Sequence, residues 1–284
     1  PRNRLTRLML FEAYLREARG KEVVAEAVVL NRLIAGSNQT ILPILANLVQ
    51  NPSTREDAAD ALGASVLTYP VLRALAERQV SPELLMSLAG DPIDVEEFSA
   101  DARQQINSLS APYIKAGKWS QAAELWSHFY RRKPSELGQI IDPEFSGRFG
   151  GPFGWQLGRS DGGLAEQGEN GLQVVDFGRK GWEVARQALL IRPGSYRLRF
   201  KLDGETGNLP DLAWRVVCAG RGGTLLDLPL RGEKFLGLAA SDSFNVPADG
   251  CPAQWLSLVS RGGGGGQARV VVIRSVAIAQ PGEE

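Results

Sequence analysis

The sequence predicts an α+β chain with the two kinds of structure in separate domains: an N-terminal helical solenoid, then a C-terminal antiparallel β-sandwich or jelly roll. Two observations carry that prediction. Glycine is unevenly spread, with six of 32 before residue 146 and 26 after it; glycine disfavours helix interiors and favours turns and bulges. The apolar period also changes. It is helical as far as the Phe129-Tyr130-Arg131-Arg132 run and alternating from about residue 153 onward. The expected domains are residues 1–136 and 137–284.

In the front half, Leu5, Leu8, Met9, Phe11 and Leu15 recur at helical spacing, and Gly20 is read as the stop. Val23, Val24, Ala27, Leu30, Leu33 and Ile34 make the next stripe, closed by Gly36. Further helices are expected over 38–50, 54–63, 66–79, 81–89, 94–108 and 119–132. Ser53 with Glu56 has the spacing of a capping box. Ser81-Pro82-Glu83 puts a capping hydroxyl and a first-position proline at another start. Helices this short are marginal alone and must pack on neighbours.

The segment Tyr113-Ile-Lys-Ala-Gly117-Lys-Trp-Ser-Gln-Ala122 resembles a tetratricopeptide repeat: an aromatic, a glycine at the inter-helix turn, then a small residue where helices touch. Ala13, Tyr14, Gly20 and Ala25 form a weaker copy. Pro43 and Pro70 interrupt apolar runs in the middle, 38–108, where no regular period can be set. The resemblance implies a groove for a peptide or helix of a protein partner, with Tyr14, Arg32 and Tyr69 as candidate lining residues.

In the back half, Tyr196, Leu198, Phe200 and Leu202 share one strand face and Arg197, Arg199 and Lys201 the other. Leu212, Trp214, Val216 and Cys218 alternate likewise. Other strands are expected over 153–158, 163–167, 171–177, 183–192, 224–230, 240–246, 253–260 and 268–279. Gly262 to Gly266 reads as a flexible hairpin tip; no helix or Lys-Ser/Thr follows it, so it is no phosphate cradle.

Asp142-Pro-Glu-Phe145, Pro152-Phe-Gly-Trp155 and the run from Gln187 through Pro193-Gly194 to Tyr196 and Phe200 resemble the carbohydrate-binding-module jelly rolls over roughly residues 140–280. That resemblance implies a sugar-binding sandwich. Such modules often carry adjacent aspartates on a last strand near a structural calcium. The matching place here, Ile273-Arg274-Ser275-Val276-Ala277, has no carboxylate, although Asp142 and Glu144 remain. The reading assigns no cofactor and no metal.

Sugar binding needs aromatic planes and hydrogen-bonding side chains. Trp155 and Trp214 fall on the core parity of their strands. Trp182 follows Arg179-Lys180-Gly181 and is expected on a loop; Trp255 is out of phase with Leu256 and Leu258. The candidate contact set is Trp182, Trp255, Gln187, Arg197, Arg199 and Arg215, with Lys201 and Gln254 nearby. The alternative is a solvated sheet face balanced by cross-strand acids.

Cys218 and Cys251 are the only cysteines. Antiparallel neighbours would bring them within disulfide reach, which implies a periplasmic or extracellular compartment; the alternative is two unrelated buried thiols. The chain opens on Pro1, which leaves room for a signal peptide or anchor ahead of it.

Charge excludes some classes. The 32 basic and 32 acidic residues balance, sixteen of each in residues 1–141 and again in 142–284. A nucleic-acid partner calls for a basic excess. No apolar run reaches membrane-spanning length. Catalysis finds no complete set: His128 is the only histidine, and no Gly-x-Ser-x-Gly elbow is present. A carboxylate pair among Asp176, Glu183, Asp203 and Glu205 is the remaining route to a glycosidase. The sequence thus points to a non-enzymatic, extracytoplasmic protein whose helices scaffold a partner and whose jelly roll binds an envelope polysaccharide. Its rival is a pure protein-interaction scaffold whose sandwich binds no sugar.

Overall fold

A computed structural model describes residues 3–63, 65–90, 100–203, 211–220, 223–230, 240–262 and 267–281. These fall into two compact units, which divide between Arg131 and Arg132.

The first unit has eight α-helices among the described residues: α1 (Arg4–Arg16), α2 (Gly20–Leu33), α3 (Asn38–Gln50), α4 (Arg55–Gly63), α5 (Thr68–Glu77), α6 (Pro82–Ala89), α7 (Ala100–Lys115) and α8 (Trp119–Phe129). Asn3 starts α1 by accepting the Leu5 amide on its side chain, and Ser81 caps α6 ahead of Pro82. Consecutive helices pair, α1 with α2, α3 with α4, α5 with α6 and α7 with α8. Beyond its pair, α3 touches α5 and α5 touches α7, while α2, α4, α6 and α8 meet in succession. From α2 onward, odd and even helices therefore make two layers stacked in chain order, and α1 packs on α2. Most bury one stripe, such as Val23, Val24, Ala27 and Leu30 on α2, but of the apolar set expected on α1 only Phe11 is buried, and Leu5, Leu8 and Met9 are exposed. Arg7 reaches from α1 to both oxygens of the buried Glu26 on α2, at 2.7 and 3.0 Å.

Several local expectations need correction. Gly20 opens α2 rather than closing α1; the chain turns earlier, at Ala18 with φ 55°. Gly20 is needed because a β-carbon there would sit 3.0 Å from the Thr54 carbonyl oxygen and 3.1 Å from the Ala58 nitrogen. Ala25 is exposed, and Ala27 is the small residue in the contact. Ser53 does not build a capping box: its hydroxyl and amide both donate to Asn51 Oδ1, and α4 begins at Arg55. The seventh helix runs on to Lys115 through Pro112; the expected start of that segment, 94–99, lies outside the described residues. Gly117 makes the α7–α8 turn at φ +75°, and Ala122 is buried beyond it.

The second unit opens with a short 3-10 helix, Pro134–Gly138. Eleven strands follow among the described residues: β1 (Gln156–Leu157), β2 (Arg159–Ser160), β3 (Gly163–Gly168), β4 (Gly171–Asp176), β5 (Trp182–Leu189), β6 (Gly194–Asp203), β7 (Leu212–Cys218), β8 (Thr224–Pro229), β9 (Ala240–Val246), β10 (Gln254–Ser260) and β11 (Arg269–Ala279). They form two antiparallel sheets, ordered β1-β5-β10-β7-β8 and β2-β3-β4-β11-β6-β9. The expected strand 153–158 ends at Gly158, and β1 and β2 on either side of it join different sheets. The proposed glycine tip lies outside the described residues over 263–266.

The core between the sheets holds Trp155, Leu198, Phe200, Trp214, Leu256 and Ile273. Phe145 lies 4.8 Å from Trp155, centroid to centroid, and the Trp155 indole donates to the Asp142 carbonyl. Cys218 at the end of β7 is bonded to Cys251 in the turn before β10, with α-carbons 5.1 Å apart.

Candidate functional site

Side chains opposite one another on neighbouring strands share a face, so register builds the outer surface of the five-stranded sheet. Leu256 and Leu258 point into the core, and Trp255, Ser257 and Val259 therefore point away from it. Ser257 pairs with Arg186 on β5 and Arg215 on β7; Arg186 pairs with Gln156 on β1, and Arg215 with Asp227 on β8. The result is an unbroken polar row, Gln156-Arg186-Ser257-Arg215-Asp227, across all five strands. Four strand intervals make it about 19 Å long. The adjoining row is Ala188-Trp255-Val217, an indole flanked by small and aliphatic neighbours.

The row is held in place by its own contacts. Arg186 Nε donates to Gln156 Oε1 at 2.6 Å and its Nη1 lies 3.4 Å from Glu183 Oε2. The same guanidinium stands 4.9 Å from the centre of the Trp255 ring. The Ser257 hydroxyl donates to Glu183 Oε1 at 3.0 Å. Asp227 accepts from both Arg215 and Arg261. Three guanidiniums thus share two carboxylates on one half-exposed surface. The indole offers an apolar plane and the row offers both donors and acceptors, which together suit a hydroxylated ring.

Only part of the expected contact set is on this surface. Trp255 and Arg215 are. Arg197 and Arg199 are not, because β6 lies between β11 and β9 in the other sheet, on the opposite exterior of the sandwich. Gln187 is 0% exposed and turned inward, with its carboxamide accepting the Ile141 amide at 3.1 Å and donating to the Ile141 carbonyl at 2.8 Å. Gln254 does the same for Ile191. Trp182 is not on a loop. It begins β5 at 8% exposure, covered by the turn before β3, where a β-carbon on Gly162 would come within 2.6 Å of the indole.

Sequence reasoning missed Gln156, Arg186, Ser257 and Asp227. The reason at Arg186 is a β-bulge: Leu258 pairs with Ala185 and Val259 with Glu183, so Val184 is skipped. Val184 and Ala185 both face the core, and beyond them Arg186 turns out and Gln187 turns in. The signal was the adjacent pair Val184-Ala185 inside an otherwise alternating run.

The candidate catalytic groups are dispersed. Asp176 is buried, accepting from the Ser260 hydroxyl and the Gly178 amide. Asp203 pairs with Arg274, and Glu183 with Arg186. Glu205 lies outside the described residues. His128 Nε2 stands 3.3 Å from the Gly90 carbonyl oxygen, and its ring is edge-on to Phe129. Asp142 uses its two oxygens on the Ser146 and Gly147 amides, 2.7 and 2.9 Å away. Among the described residues no cluster of three His, Cys, Asp or Glu is placed to hold a metal ion, and no helix is long and apolar enough to cross a membrane.

The helical unit has its own concavity. A cleft of about 360 Å³ involves Leu42 of α3, Tyr69 and Arg73 of α5 and Gln105 of α7; a second, of about 630 Å³, shares Arg73, Glu77 and Ser108 with it and runs on to Lys115. Burial pushes the Tyr69 phenol above its ordinary pKa. Tyr14, beneath the Arg19 guanidinium, is on an odd helix like Tyr69, whereas Arg32 is on even helix α2.

No protein-family model matches the sequence. No curated protein matches it either. Among solved structures, one described as "CBM4 structure and function" is 15% identical, covers 51% of this chain and 97% of its own, and has a TM-score of 0.38. The N-terminal cellulose-binding domain of Cellulomonas fimi β-1,4-glucanase C is 20% identical over 51% of this chain and 98% of its own, TM-score 0.34. TmCBM61, solved with β-1,4-galactotriose, is 14% identical over 50% and 99%, TM-score 0.33. At these identities and TM-scores the likenesses say nothing about a ligand for this chain.

Proposed function

We propose that this chain is a non-catalytic, extracytoplasmic binding protein whose sandwich holds a polysaccharide on the outer face of the five-stranded sheet. The observation that carries the reading is the polar row Gln156-Arg186-Ser257-Arg215-Asp227 beside the Trp255 plane. A flat sugar ring stacks its C–H face on the indole while its hydroxyls exchange hydrogen bonds with the row. The Cys218–Cys251 bond supports an oxidising compartment. In this division of labour residues 1–136, taken as tetratricopeptide-like, dock a peptide or helix of a protein partner along α3, α5 and α7, and residues 137–284 take the glycan.

Affinity electrophoresis against a panel of soluble polysaccharides tests it. The wild-type chain is retarded by at least one. Trp255→Ala weakens that interaction by about 2 kcal/mol or more, the usual cost of truncating a central aromatic anchor. Lys201→Ala, on the other sheet, leaves it unchanged. Retardation that survives Trp255→Ala and Arg215→Ala together ends the reading. A pure scaffold is the second reading, and the clefts along α5 and α7 favour it. It gains the case if no glycan retards the chain while a peptide protects α5 and α7 from hydrogen exchange.

A further inference from the structure

The sandwich has a second concavity, away from the five-stranded face. A cleft of about 430 Å³ opens where the 3-10 helix Pro134–Gly138, the link from β5 to β6 and the end of β11 come together. Its floor is apolar, made by Ile191 and Ile278 with the ring of Tyr196. Its rim is polar: Arg192, Gln139 and Gln280, all exposed. We propose that this cleft binds a carboxylate-bearing sugar, a single hexuronic acid residue.

Charge gives the first argument. Among the described residues, Arg192 is the one ionised group lining the cleft, and no carboxylate lines it. The nearby Glu136 is committed to Arg132, at 3.3 Å. A guanidinium facing no acid is a seat for a carboxylate, which it takes with two parallel hydrogen bonds. Shape gives the second. The Tyr196 ring is 6% exposed and lies 5.9 Å from Phe244 in a stacked pair, so the floor is rigid. Its hydroxyl accepts from Gln280 Nε2 at 3.4 Å, and a phenol that accepts one hydrogen bond also carries a proton it can donate to a sugar hydroxyl. The two carboxamides supply further donors and acceptors, and the aliphatic floor takes the C–H face of the ring. The walls are preorganised: the Leu190 amide donates to the Leu137 carbonyl at 2.7 Å, and the Ile191 amide to Gln254 at 2.9 Å. A neutral hexose lacks the group that Arg192 awaits. A simple carboxylate lacks the ring that the floor awaits.

This site is separate from the sheet-face reading, and its test separates the two. The full chain is titrated calorimetrically with sodium D-glucuronate, sodium D-galacturonate, D-glucose and sodium acetate. A uronate binds; glucose is about tenfold weaker or worse, since a charge-assisted hydrogen bond is worth roughly that factor or more, and acetate, which keeps that bond but lacks the ring, is also weaker. Arg192→Gln brings the uronate down to the level of glucose. Tyr196→Phe, which keeps the ring, weakens it several-fold with an unchanged melting temperature. Trp255→Ala leaves it intact. The proposal fails if acetate binds as well as the uronate, if Arg192→Gln changes nothing, if Trp255→Ala abolishes the binding, or if no uronate binds at tens of millimolar.

Discussion

Gln187→Leu is the substitution that most directly tests how this sandwich is built. Leucine has nearly the volume of glutamine, so the cavity contribution is small. What is lost is the carboxamide that serves the Ile141 amide and the Ile141 carbonyl, at 3.1 and 2.8 Å, at a site with no solvent access. A buried polar group left without a partner costs about 1–3 kcal/mol. Two such groups give about 2–6 kcal/mol, and the added apolar burial of leucine returns about 1 kcal/mol, leaving a net loss of about 1–5 kcal/mol. Urea unfolding followed by tryptophan fluorescence reads this. With a slope of about 2 kcal/mol/M for a unit of this size, the midpoint falls by at least about 0.5 M. Lys201→Ala, exposed on β6, is the control and shifts stability by less than about 0.5 kcal/mol. A Gln187→Leu protein as stable as wild type refutes the accounting. Loss of glycan retardation without loss of stability would return Gln187 to a binding role.

Reduction of Cys218–Cys251, read by hydrogen exchange over β7 and β10, lowers the stability of the sandwich by about 3–4 kcal/mol, the chain-entropy value for a separation of 33 residues; Cys218→Ala/Cys251→Ala protein shows the same loss without reductant. Burial, with a smaller push from Glu83, raises the Tyr113 phenol to about 12, and its hydroxyl donates to the Val80 carbonyl at 2.6 Å. The unfolded phenol ionises near 10 while the folded one keeps its proton, so stability is full below pH 10 and drains away between pH 10 and 12, a slope that Tyr113→Phe removes in alkaline unfolding curves. A Gly163→Ala β-carbon overlaps the Val175 carbonyl oxygen and the Trp182 ring, so thermal unfolding shows a loss of about 3 kcal/mol or more if Trp182 is seated as described.

The elements were legible because period and punctuation are local properties. Every strand from β3 to β11 lies where alternation put it, and Ser81-Pro82 marked its helix start from three residues. What failed needed information from elsewhere in the chain. Gly20 looks like a helix stop until Thr54 and Ala58 are placed against it. Trp182 looks like a loop residue until Gly162 and Gly163 leave room to bury it. Arg197, Arg199 and Arg215 share outward parity on their strands, but parity says only which side of its own sheet a residue takes. Which sheet a strand joins depends on pairing, and β6 and β7, adjacent in sequence, join different ones.

The same distinction explains why the candidate contact face was only half visible. Its row draws one residue from each of five strands, spread from Gln156 to Ser257, and none of the five is unusual in its own strand. Register alone makes them neighbours, and at β5 the register turns on a bulge. Had β5 kept its alternation from Glu183, Ala185 would stand beside Ser257, Gln187 beside Trp255, and Arg186 would be driven into the core beside Leu256. An unpaired guanidinium in that setting is costly enough to forbid it. The bulge at Val184 therefore does two jobs at once: it keeps charge out of the core, and it lays Arg186 against Trp255, where a planar cation and an indole make the one apolar-and-polar corner of the face.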